Sequence, residues 1–147
     1  MHYEMFVRAH GALLAGAMVC LIVAEIMLLA VRTGSMGRAK AVLVVSRIGS
    51  ALAGIGLLTG LGLLAVGPWP WSAPWLIASF ILIAALMAVG TKLVKPWQAS
   101  FQVAVTAGRA VETRTLAADA GGMRGRLLFL GFFLLIMGVM VAKPALF

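Results

Sequence analysis

Four long apolar runs separated by short polar or basic stretches set the plan of this chain. The first, His10 to Val31, reads HGALLAGAMVCLIVAEIMLLAV and carries a single charge, Glu25, in 22 residues. A helix rising about 1.5 Å per residue crosses a hydrocarbon core of about 30 Å over that length, so a membrane span over about 9–31 is expected. Tyr3, Phe6 and Arg8 precede it and suit the interface, where aromatic rings and long bases settle. The run exceeds the ~7–15 residues of a secretory apolar region and no small-x-small cleavage site follows, so it is expected to stay in the mature protein.

The polar loop TGSMG, flanked by Arg32, Arg38 and Lys40, ends this helix and predicts a tight hairpin into a second span over 41–66. Ser46, Gly49, Ala53, Gly56 and Gly60 recur there at spacings of three and four. Such positions share one face, and their small side chains let another backbone approach closely in lipid. An uncharged turn, VGPWPWSAPW, follows with tryptophans suited to the headgroup level. Ser72 as N-cap and Pro74 in the first turn start a third span over 73–95, closed by Lys92, Lys95 and Pro96.

Over 97–118 the apolar positions Trp97, Phe101, Ala104 or Val105, Gly108 and Val111 recur at helical spacing, with Gln98, Gln102, Thr106, Arg109 and Thr113 opposite. The pattern predicts an amphipathic helix that either lies on the membrane or continues the third span. The glycines of AGGMRGR are expected to break it before a short last span over 126–142, ended by Lys143 and Pro144. The fold expected is all-α: a polytopic membrane protein of one domain, a four-transmembrane-helix bundle with a long cytoplasmic loop between the third and fourth helices.

Composition agrees. The chain has 147 residues, is 63% hydrophobic and has a mean hydropathy of +1.11, more apolar surface than a soluble core of this size can bury. The net charge of +8 lies between the apolar runs and not along one face, so it reads as a topology signal and argues against nucleic acid as partner. Nine bases (Arg32, Arg38, Lys40, Lys92, Lys95, Arg109, Arg114, Arg124 and Arg126) fall on one side, and Arg8 and Lys143 on the other. By the positive-inside rule both termini face the periplasm of a bacterial inner membrane. The lone cysteine, Cys20, offers neither a disulfide nor a cysteine metal centre.

An ionisable group inside a span is a functional candidate by default. Glu25 and Arg47 lie at matched depths, roughly 9 Å inside the same boundary, so they can form an intramembrane ion pair. Two other readings stand beside it: Glu25 as a proton or cation site, and Arg47 snorkelling alone. His10, near the outer end of the first helix, comes level with Met137 and Met140 of the last. Imidazole and thioether can hold haem iron or copper, with His2 or Met5 as further donors, whereas the nine methionines also serve as ordinary packing residues. No nucleophile triad, paired carboxylates or phosphate-binding glycine motif is present.

The pattern VRAHGALLAGAMV, with LLTGLGLL ahead of PWSAPWLIASFILI, resembles a family of bacterial four-helix integral membrane proteins of about this length. That family is distantly similar to the CopD-type copper-resistance proteins and the HemJ-type protoporphyrinogen oxidases. The likeness covers the first three helices and centres on His10 followed by Gly11, Ala15 and Gly16. It implies haem b or copper at His10. No second histidine lies within a span, so no oxidase activity is implied. Three functions follow as expectations: a structural or accessory membrane component, partnered by lipid and by further copies or a larger complex; a haem- or copper-binding bundle; and a small proton- or cation-coupled transporter using Glu25.

Overall fold

Helices account for nearly all of the computed structural model, which describes the backbone of residues 2–146 and the side chains of residues 3–142. The side chains of His2 and Lys143 lie outside the described residues. The elements are α1 (His2–Val31), α2 (Met36–Val66), α3 (Pro74–Val89), a π-helical turn (Gly90–Val94), α4 (Lys95–Thr106), α5 (Ala110–Ala118) and α6 (Ala120–Leu146). Among the described residues four stretches are long and apolar enough to cross a membrane: Tyr3–Val31, Met36–Val66, Pro74–Thr106 and Ala120–Ala142.

α1 and α2 form the tightest pair, and the small-residue face of α2 explains why. A Cβ added at Gly49 would lie 2.9 Å from the Cys20 Cβ, at Gly56 2.7 Å from Leu14 Cδ2 and at Gly60 2.8 Å from His10 Cε1. Glycine at these three positions is what lets the backbones approach. The connecting turn needs positive φ at Gly34 (108°), and the Ser35 hydroxyl accepts the Arg38 backbone N–H to start α2 five residues earlier than the apolar run suggests.

The third span departs most from its expected bounds. It does not stop at Pro96 but continues to Thr106. The Lys95 backbone N–H reaches back to the Gly90 carbonyl, a π-type bond that widens the turn just before the proline ring needs room. α3 begins after Ala73, whose side chain makes no capping bond, so Ser72 is not the cap and Pro74 opens the helix. The stretch over 97–118 is helical as its spacing predicts, and its first part continues the third span. It breaks once, at Ala107–Arg109, where Gly108 takes φ 69°. That turn divides the expected 97–118 helix: Phe101, Ala104 and Val105 are buried as their spacing implies, but in α5 Thr113 is buried and Val111 exposed.

The glycines of AGGMRGR do not break α6, which begins six residues before the expected 126. The Asp119 carboxylate accepts the Gly122 backbone N–H at its first turn. Gly122 and Gly125 then serve close packing against Trp97 and Leu93, and Gly90 gives the same clearance to Phe129, 3.1 Å from a Cβ placed there. Two intimate pairs result, α1 with α2 and α3 with α6, with α4 and α5 closing one end. That end has its own core of Leu28, Val31, Ala39, Val42, Phe101, Val105 and Ala117. Arg32 Nε and Trp97 Nε1 donate to the Ala117 and Leu116 carbonyls, satisfying the C-terminal end of α5. At the opposite end Trp69 Nε1 donates to the Tyr3 hydroxyl, and the Trp69 and Trp75 rings meet edge to face at 5.6 Å.

Candidate functional site

α1 turns Ala17, Ala24, Leu28 and Val31 inward, and Glu25 stands beside that stripe facing α6. Arg126, in the second turn of α6, donates from Nε to Glu25 Oε1 at 2.7 Å. Arg126 is buried (7% exposed) and Glu25 mostly so, so two charges share an interior where either alone would be costly. The Arg126 guanidinium also lies 3.9 Å from the centroid of the Trp97 ring, a cation–π contact. That ring is fixed from two directions, by its bond to the Leu116 carbonyl and by stacking on Phe101 at 5.1 Å. Gly122 gives it space, since any larger residue there would run into the indole.

Arg47 is not the partner of Glu25. It is exposed, and the reason is azimuth: Arg47 precedes Gly49 by two residues, about 200° around the helix from the face that meets α1. Matched depth does not bring the two side chains to the same side. Along the sequence Arg126 groups with the loop bases, because the glycines before it read as a break. The available signal was the three-residue spacing of Gly122 and Gly125, which marks a packed helix face running straight into Arg126.

Between the two helix pairs lies a cavity of about 270 Å³. Glu25, Arg126, Trp97, Lys95, Gln98 and Thr91 contribute its polar and aromatic surface, and residues such as Leu21, Val42 and Phe129 the apolar remainder. Arg126 Nη1 and Nη2 are buried and have no hydrogen-bond partner. Comparison with family models, curated proteins and solved structures finds no match to the chain, so the site is read from its own geometry.

His10 is held by α2. Its Nδ1 lies 2.8 Å from the Gly56 carbonyl and 3.2 Å from Thr59 Oγ1, and the Thr59 hydroxyl donates to the same carbonyl at 2.8 Å. Nδ1–H donation to that carbonyl leaves Nε2 as the ring's only lone pair. Met137 packs at the rim of an apolar cluster of Ala17, Met18 and Phe133, seven residues inward of His10 on α1, roughly 10 Å along the helix. Met140 lies three residues further along α6, half-buried. Among the described residues no three His, Cys, Asp or Glu side chains converge on one point. His10 thus offers one imidazole nitrogen, and with no second histidine within a span the set does not fit a bis-histidine haem.

Proposed function

We propose that this chain is a structural or accessory component of a bacterial inner membrane, a multi-pass bundle with both termini on the periplasmic side. The observation that carries this reading is the Glu25–Arg126 bond, which ties one helix pair to the other inside the bundle. Two further polar groups of α1 are spent similarly: His10 binds α2, and Tyr3 binds Trp69 in the turn after α2. Interhelical polar bonds of this kind hold bundles together where lipid removes the hydrophobic drive. The orientation rests on loop charge. With Arg126 counted inside the bundle, eight bases remain at the α4–α5 end against Arg8 and Lys143 at the other, so the bias persists.

The reading is tested by replacing the pair together. Glu25→Gln with Arg126→Gln removes both charges and keeps a polar side chain at each position. A structural component should accumulate in the membrane and complement a deletion strain near the wild-type level. Normal accumulation with complete loss of complementation would assign the charges a chemical task, such as proton-coupled transport, and overturn the proposal.

A further inference from the structure

Arg47 is a charge on a lipid-facing wall. It lies seven residues, about 10 Å, further along α2 than Lys40, beside the exposed apolar side chains of Val44 and Ile48, and makes no hydrogen bond or ion pair among the described residues. A base inside a span is costly without a counter-charge, so Arg47 marks a place where one is supplied. Neither this chain nor a second copy can supply it. Of the four acids, Glu25 is paired with Arg126, Glu112 with Arg109, Asp119 accepts the Gly122 N–H at the start of α6, and Glu4 stands at the far end, in the first turn of α1.

The surroundings of Arg47 specify the missing group. Ser46 and Ser50 line one wall of the cavity between the helix pairs, and Arg47 lies about 60° around α2 from Ser50, at the lip of that wall. Exposed Lys95 lines the opposite wall. The two bases are level, since Arg47 to the end of α2 at Val66 and the start of α3 at Pro74 to Lys95 each span about 30 Å. Helical side chains lean toward the helix N-terminus, so the Arg47 guanidinium leans back toward the boundary marked by Lys40. Ser50 and Met87 line the cavity and are exposed, so it opens sideways, toward lipid. Its apolar lining lies deeper than the charges: Leu21 is a turn beyond Glu25, Leu130 a turn beyond Arg126, and Met87 two turns beyond Lys95. We propose that this crevice binds an anionic phospholipid, its headgroup phosphate held by Arg47 and Lys95 and one acyl chain running along Leu21, Met87 and Leu130. Arg47 offers the planar fork that fits two phosphate oxygens, and basic pockets between membrane helices suit anionic headgroups. A free phosphate would leave the apolar wall bare.

Thermal unfolding of the full-length protein in neutral detergent tests this, with short-chain phosphatidylglycerol, phosphatidylcholine of the same chain length, or inorganic phosphate added. Phosphatidylglycerol should raise the midpoint saturably, and phosphatidylcholine, which carries its own cation, much less. Arg47→Gln and Lys95→Gln, both at exposed positions, should each weaken the apparent affinity about fivefold, the worth of one base beside an anionic lipid. Arg8→Gln, at the opposite end of the bundle, should leave it unchanged. No rise with phosphatidylglycerol, or an equal rise with phosphatidylcholine, overturns the proposal. So does a rise undiminished in both variants, which would place binding elsewhere, or one matched by inorganic phosphate, since a free anion would then suffice. None of these readouts depends on which end of the bundle faces the cytoplasm or on complementation, so the binding result and the test of the structural role stand apart.

Discussion

Arg126 Nε lies 2.7 Å from Glu25 Oε1, and through these two residues the α1–α2 pair is bonded to the α3–α6 pair. Removing one member leaves the other charge buried and unpaired, which costs about 3–5 kcal/mol, whereas removing both together costs much less. Glu25→Ala and Arg126→Met should each lower stability in detergent steeply, and the double variant should recover most of the loss. Arg47→Met, on the exposed face of α2, should change stability little. Reversible unfolding of the four variants against wild type checks this; additive losses for Glu25 and Arg126 would contradict the bond.

The packing of α6 gives a sharper test because glycine has no side-chain function to lose. Gly122→Ala forces the backbone away from Trp97, an overpacking cost of about 1–3 kcal/mol. It should also disturb the indole that covers Arg126, visible as a change in tryptophan emission. Gly138 lies in the same helix with nothing within 4 Å of an added Cβ. Gly138→Ala should therefore be neutral or gain up to about 1 kcal/mol from helix propensity. Equal effects at the two positions would remove the case for close approach.

These contrasts show what the sequence made legible. Span existence follows from run length alone, so four helices were readable, and the α2 seam was readable because glycine spacing of three and four encodes a face. Azimuth between helices was not, since Glu25 and Arg47 agree in depth while their helices turn Arg47 outward. Pro96 and the Gly121–Gly125 stretch read as breaks because their local propensity is poor, yet a π turn makes room for the one and tertiary packing uses two glycines of the other. A break at those glycines puts Arg126 in a loop, so the cavity it lines is not legible from the sequence.

Orientation is testable without function. In a Cys20→Ser background, Thr33→Cys in the α1–α2 turn and Ser72→Cys before α3 place single thiols at exposed positions on opposite ends of α2. A membrane-impermeant maleimide added to intact spheroplasts should label position 72 and spare position 33 until the membrane is opened. The reverse pattern would invert the bundle, and labelling of both from outside would mean that α2 does not cross.

The last prediction concerns His10 and Gly60, whose contact is steric on one side and polar on the other. A methyl at position 60 would stand 2.8 Å from His10 Cε1, while Nδ1 of the same ring is bonded 2.8 Å from the Gly56 carbonyl, so the imidazole has little freedom to retreat. Gly60→Ala alone should cost about 1–3 kcal/mol through overpacking. His10→Ala alone should cost a similar amount, about 1–3 kcal/mol, through the lost bond and the space left against α2. Together the alanines fit one another: the methyl at 60 fills part of the vacated space, so the double variant should be more stable than the sum of the single losses predicts by about 0.5–3 kcal/mol. Unfolding midpoints of the three variants against wild type measure that coupling. A coupling near zero would mean that His10 does not rest on Gly60.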